Sequence, residues 1–294
     1  MGICCCKSDP GDGADLDAIS GSVGDSGRAA ERRTVKGQTS KKSQNERMER
    51  AAKTGMLGLA DAKLVQVPQQ VYSIQKLRNL DLQNNMLTTI SPGICNLKML
   101  KSLNLTNNRI EHLPEGMGVL TNLQNLKLGH NSLSTLPTLP KSIKTLSLSE
   151  NKFETLPESI KSIDMLVELV ADKNKIAGAI PGWIGSLPKL VSIDLSSNEI
   201  NSIDPNVGSS TTLNILLLAD NNISQVPQEV LLSQNLARMR LERNNITKTR
   251  LETTTGFDAF NQRRLAAIDK QLAGGMTNTD RSICGLDDAE ISNL

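Results

Sequence analysis

A chain of 294 residues is enough for one large domain or two small ones, yet only Trp183, Tyr72 and three phenylalanines carry aromatic rings. So few rings exclude an irregular globular core of ordinary composition and leave leucine, isoleucine and valine to fill the interior. A net charge of +2 points to no polyanionic partner, two histidines and five cysteines leave little for a metal or acid–base centre, and no apolar run reaches membrane-spanning length.

The chain opens MGICCCKSD. Myristoylation takes Met-Gly-x-x-x-Ser/Thr; Gly2 is in place and Lys7 follows, although Cys6 stands where the hydroxyl residue belongs. Three adjacent cysteines with no histidine nearby are a poor wrap for zinc. No signal-peptide core is seen, so a reducing compartment is expected, which disfavours disulfides and glycans on the sequons at Asn104, Asn222 and Asn245. The reading is a myristoyl group on Gly2 and palmitate on Cys4, Cys5 and Cys6, because one myristoyl chain binds membranes only marginally and needs a second signal. Residues 1–50 lack apolar periodicity and are expected to be a disordered arm. Within it, residues 9–25 hold five aspartates and no Lys or Arg, and residues 28–50 carry eight Lys/Arg against three Glu, a basic run suited to an anionic leaflet.

Residues 51–76 read as an N-terminal cap, with a helix over NERMERAAKTG and a unit LGLADAKLVQVP whose Ala62 replaces an asparagine. From Leu77 to about 255 the pattern LxxLxLxxN recurs eight times, at start-to-start spacings of 23, 23, 20, 23, 24, 23 and 23 residues. That period marks a leucine-rich repeat solenoid, an α/β horseshoe with a parallel concave sheet and short helical, 3₁₀ or extended convex arms. The period-two LxL gives each unit a short strand with leucines facing in. The asparagine ladder Asn85, Asn108, Asn131, Asn151, Asn174, Asn198, Asn221 and Asn244 is placed to satisfy backbone groups at a sharp inward turn, so a structural role is expected of it.

Most units continue N-x-Φ-x-x-Φ-P, where proline opens the convex arm. The third unit is shortened around Pro137 and Pro140. The fifth inserts Gly178 and Gly182 and looks like the plant-type repeat with its G-x-I-P-x-x-I-G signature. Trp183 falls on this arm, either packing between arms or forming a contact site. After Asn244, Phe257, Phe260, Leu265, Ile268 and Leu272 lie at helical spacing. A helix over 256–273 either caps the open end of the stack or meets a membrane or partner, with 274–294 a flexible tail.

The stretch from about Ala52 to Leu272, with AKTGMLGLADAKLVQVP, the LP turns and GFDAF…RR, resembles the small intracellular leucine-rich repeat proteins, in particular the leucine-rich repeat-containing protein 57 family. That resemblance implies a scaffold and an acylated Met-Gly start; it transfers no binding residue.

Side chains between the strand leucines project from the concave face. Its first half is small and polar. Its second half holds Val170, Ile215 and Leu217 beside Arg238, Arg240 and Arg243, a candidate apolar contact patch flanked by cations, unless neighbours or the C-terminal flank cover it. No nucleophile–base pair, metal-spaced set or phosphate loop is present, so an enzyme, a cofactor, a metal and a small-molecule substrate are not expected. Nucleic-acid binding is disfavoured by the scarcity of rings. The expected protein is a monomeric, non-enzymatic scaffold on the cytoplasmic face of a membrane with a protein partner on its concave face. The alternative is a soluble regulatory subunit of a phosphatase or small-GTPase complex.

Overall fold

A computed structural model of the chain describes residues 41–274 and 282–286. Each LxL segment forms a three-residue strand: β1 (Met56–Gly58), β2 (Asn79–Asp81), β3 (Ser102–Asn104), β4 (Asn125–Lys127), β5 (Thr145–Ser147) and β6 (Glu168–Val170). The series continues after β7 (Ala177–Ile180) with β8 (Ser192–Asp194), then after β9 (Glu199–Ile203) with β10 (Ile215–Leu217) and β11 (Arg238–Arg240). Nine of these form one parallel sheet in the order β1-β2-β3-β4-β5-β6-β8-β10-β11. Register is kept from repeat to repeat, so Leu57, Leu80, Leu103, Leu126, Leu146, Leu169, Ile193, Leu216 and Met239 face one another in a row. All are buried. One such row per apolar strand position is the interior of the solenoid; each repeat buries its leucines only against its neighbours.

The strands are short because the asparagine turn ends them. Asn108 shows the arrangement: its Nδ2 donates to the carbonyls of Leu82 and Leu105, both at 3.0 Å, and its Oδ1 accepts from the Leu87 amide at 3.1 Å. The same pattern recurs from Asn85 to Asn244. The residue before each ladder asparagine (Asn84, Asn107, His130, Glu150, Lys173, Ser197, Asp220 and Arg243) takes left-handed backbone with φ between 52° and 56°. Except for Arg243, their amides donate to carbonyls of the next repeat, as Asp220 does to Glu242 at 2.9 Å, which offsets a local cost of about 1–2 kcal/mol per residue.

The convex arms are mostly single 3₁₀ turns, such as Pro92–Asn96, Glu115–Val119 and Pro205–Ser209, with α2 (Gln228–Leu232) in the seventh repeat. Proline stands at or just before the start of each of these, where its missing N–H costs nothing. Between β4 and β5 the arm around Pro137 and Pro140 has no helical turn, as the shortened repeat requires. Packing between late arms is tight: a Cβ on Gly208 would lie 2.2 Å from the Glu229 carbonyl oxygen. The fifth repeat differs again, because β7 pairs in parallel with β9 as a separate two-stranded sheet. Trp183 is half-buried and packs against the core.

Both ends are closed. Helix α1 (Lys41–Thr54) buries Met48 and Ala51; it covers most of the helix expected over NERMERAAKTG and starts four residues earlier than Asn45, inside the stretch 1–50 expected to be disordered. At the other end, α3 (Lys248–Glu252) leads into α4 (Phe257–Ala273). Helix α4 buries Phe257, Phe260, Arg264 and Ile268, while Leu265 is 46% exposed. Leu265 is therefore not a capping residue; the buried stripe runs through 264, about 100° away on the helix surface. Segment 282–286 completes the end: the Leu241 amide donates to the Cys284 carbonyl at 2.8 Å, and Arg264 Nη1 donates to that of Ser282 at 2.9 Å.

Candidate protein-binding face

The sheet register converts the concave side chains into rows that run across the strands. One row reads Asn79, Ser102, Asn125, Thr145, Glu168, Ser192, Ile215, Arg238. The next reads Asp81, Asn104, Lys127, Ser147, Val170, Asp194, Leu217, Arg240. From β2 to β5 the face is mainly small and polar, with Asp81 and Lys127 as its charges, and its amides pair locally, as Asn104 Nδ2 does with Gln83 Oε1 at 3.0 Å. From β6 to β11 it changes from acidic through apolar to basic.

This arrangement corrects the patch expected from sequence. Val170 is not continuous with Leu217, because Asp194 occupies the strand between them. The apolar area is Ile215 and Leu217 on β10, both half-buried, and it continues toward the C-terminal end. There a cavity of about 590 Å³ is lined by Leu217, Ala219, Ala237, Met239 and Ile268, with Arg238 among its polar groups. Leu217 is thus neither fully open nor sealed by the C-terminal flank.

The three arginines separate into different roles. Arg238 is exposed on β11 and has no ion pair among the described residues. Arg240 is held by Glu242, with Nη2 to Oε1 at 2.6 Å. Glu242 in turn lies close to Gly285: at φ +76° a Cβ there would meet its Oε2 at 2.5 Å, so only glycine closes the segment over it. Arg243 is not on the concave strand. It occupies the left-handed turn position and pairs with Asp220 one repeat earlier. The Arg243 guanidinium holds the Asp220 carboxyl below the usual carboxylate range.

That ion pair belongs to a second ladder, along the left-handed positions, which sequence reading missed. Asn107 donates to Asn84 Oδ1 at 2.9 Å, and Glu150 lies 2.6 Å from His130 Nδ1 and 2.7 Å from Lys173 Nζ. The hydrogen bond from Lys173, with the charge of His130, lowers the Glu150 carboxyl below its ordinary range. Aligning the residues before each ladder asparagine would have exposed the alternation of sign. On the concave face, Glu168, Asp172 and Asp194 were likewise overlooked as one group; none has an ion pair among the described residues.

Gly2, Cys4, Cys5 and Cys6 and the acidic run 9–25 lie outside the described residues, and the basic run 28–50 reaches them only at 41–50. No helix of the described residues is long and apolar enough to cross a membrane.

Comparison with known proteins supports the fold. The family described as leucine rich repeat matches residues 98–139, and a second profile of the same description matches 76–97 and 142–163. Receptor-like protein 32 of Arabidopsis thaliana is 30% identical over 119 residues, 36% of this chain and 14% of that protein. Receptor like protein 22 of the same plant is 37% identical over 65 residues, 22% of this chain and 8% of that protein. The chain therefore spans a small fraction of these curated relatives. Among solved structures, a leucine-rich repeat protein of Leptospira interrogans superposes with TM-score 0.59 at 30% identity, over 68% of this chain and 57% of that one. The leucine-rich repeat ectodomain of the Arabidopsis thaliana membrane receptor kinase GASSHO1/SCHENGEN3, in complex with CASPARIAN STRIP INTEGRITY FACTOR 2, gives TM-score 0.54 at 31% identity, over 62% of this chain and 23% of that one. The plant peptide hormone receptor RGFR1, in complex with RGF2, gives 0.51 at 25% identity, over 67% and 37%. The described residues form a leucine-rich repeat solenoid.

Proposed function

We propose that this chain is a non-enzymatic protein-binding scaffold that holds a partner on the concave face between β6 and β11 and is tethered by N-terminal acylation to the cytoplasmic face of a membrane. The binding half rests on one observation above all: the concave sheet leaves Ile215 and Leu217 half-exposed between Asp194 and Arg238. Leucine-rich repeats generally serve protein interaction, and two of the similar structures are receptors in complex with a second component. The tether rests on the sequence, where Gly2 offers the myristoyl site and Cys4, Cys5 and Cys6 the second signal.

Two arms of one experiment test this. Full-length chain is used to capture proteins from cell extract beside a Leu217→Asp/Arg238→Glu variant and a convex control, Leu232→Asp, whose site is 51% exposed. Partners retained by the control and lost by the concave variant are expected; loss by neither overturns the concave reading. Membrane fractionation of Gly2→Ala is expected to move the protein to the soluble fraction, with Cys4–Cys6→Ser only transiently bound. If both fractionate as wild type, the N-terminal acyl tether is overturned: anchoring lies elsewhere or does not occur.

A further inference from the structure

We propose that the face between β6 and β11 takes an extended peptide segment presenting a basic, an aliphatic and an acidic side chain on one edge, at alternate residues. This rests on the concave-face reading above and names the chemistry of its ligand. The face is ordered along the solenoid: Glu168 and Asp172 in the β6 repeat, Asp194 on β8, Ile215 and Leu217 on β10, Arg238 on β11. In the turn ladder opposite charges meet each other, as Glu150 meets Lys173 and Asp220 meets Arg243. On the concave face Glu168, Asp172, Asp194 and Arg238 have no ion pair among the described residues. Opposite charges are thus held apart by an apolar strand, within reach of a ligand that carries the complementary charges at that spacing.

The spacing selects an extended chain. Strands lie about 4.8 Å apart, so Asp194 and Arg238 are separated by roughly 10 Å of sheet, and Glu168 and Arg238 by roughly 14 Å. An extended peptide advances about 3.3 Å per residue and points every second side chain to one side, so residues i, i+2 and i+4 span about 13 Å. A basic residue then meets the acids of β6 and β8, the aliphatic residue lies over Ile215 and Leu217, and the acid reaches Arg238. Beside Leu217 the cavity of about 590 Å³ offers Ala219, Ala237, Met239 and Ile268 to the aliphatic side chain. The aliphatic contact supplies most of the affinity, and the two charges set partner choice and encounter rate. A nucleic acid fits less well, since its phosphates would approach Arg238 across three carboxylates.

The test uses full-length protein and four fluorescent peptides with the cores Lys-x-Leu-x-Glu, Lys-x-Leu-x-Lys, Glu-x-Leu-x-Glu and Lys-x-Ser-x-Glu, read by fluorescence anisotropy. The mixed-charge leucine peptide is expected to bind about tenfold tighter than each of the others. Arg238→Glu should shift the preference to the double-lysine peptide, and Asp194→Lys to the double-glutamate peptide, with both variants checked for wild-type melting. The second variant keeps the test decisive if the first fails to fold. Equal binding of all four peptides, or variants that leave the ranking unchanged, would overturn the proposal. Should the concave variant lose its captured partners while the peptides bind alike, the binding face stands and this ligand chemistry falls. Should capture also survive, both fall.

Discussion

Each asparagine of the ladder ties its own turn to two points of the preceding repeat with one amide. Asn151, itself buried, donates Nδ2 to the carbonyls of Leu128 and Leu148 at 3.0 and 2.9 Å and accepts from the Leu133 amide at 3.0 Å. No smaller side chain reaches all of these, so Asn151→Ala strands buried polar groups at a cost of about 1–3 kcal/mol. Urea unfolding is expected to show this loss; an unchanged midpoint would contradict the role assigned to the ladder. The neighbouring turn ladder behaves differently because it is exposed. Asp220 and Glu150 have native values below the ordinary carboxylate range, held there by Arg243 and Lys173. The unfolded chain thus binds these protons first as pH falls. The stability from each pair is present above the unfolded-state value, about 4, and is lost as pH drops through the depressed native value. Solvent screening keeps that contribution small. Carboxyl-carbon NMR is expected to place the Asp220 midpoint below the ordinary range and to return it there in Arg243→Gln; an unmoved midpoint would remove the ion pair as its cause.

Helix α4 shows how one element closes a repeat stack. Phe257 and Phe260 cover the last leucine rows, and Arg263 Nε donates to the Leu236 carbonyl at 3.0 Å. Partial burial lowers the Arg263 pKa from its usual value, and the carbonyl contact gives the half-buried guanidinium a partner inside the protein. Spacing alone puts Leu265 on the inner face, since a leucine competes better than an arginine for an apolar stripe. Arg264 holds that place because its head group finds the Ser282 carbonyl and Asn261 Oδ1 while its stem packs. Phe260→Ala should remove about 3–5 kcal/mol from this end of the stack. Hydrogen exchange is expected to show β10 and β11 losing protection while β2 to β4 keep theirs, because each repeat is stabilised only by its neighbours. Uniform loss along the sheet would mean that the solenoid unfolds as one cooperative block.

For the molecule as a whole, sequence distance and spatial distance are nearly the same thing. The ladder hydrogen bonds join residues 18 to 27 positions apart, about one repeat, such as Leu87 to Asn108. The recurrence of LxxLxLxxN therefore determined the strands, the inward leucines, the asparagine turns and the concave rows, since every one of these depends on a contact at a known offset. Even the two irregular arms follow from a changed residue count and from added proline or glycine. What that offset does not carry is which polar groups satisfy one another. The six concave residues nominated from sequence include Arg243, which the turn geometry turns away toward Asp220, and Arg240, which Glu242 holds. They also join Val170 to Leu217 across Asp194. Side-chain direction at a left-handed residue, and burial under a segment some forty positions downstream such as Gly285 over Glu242, are set by packing that no single repeat contains. The sequence by itself determined the scaffold, because its contacts are periodic. Only the tertiary structure decided which charges are spent within the protein and which remain open to a ligand, because those pairings depend on geometry that does not repeat.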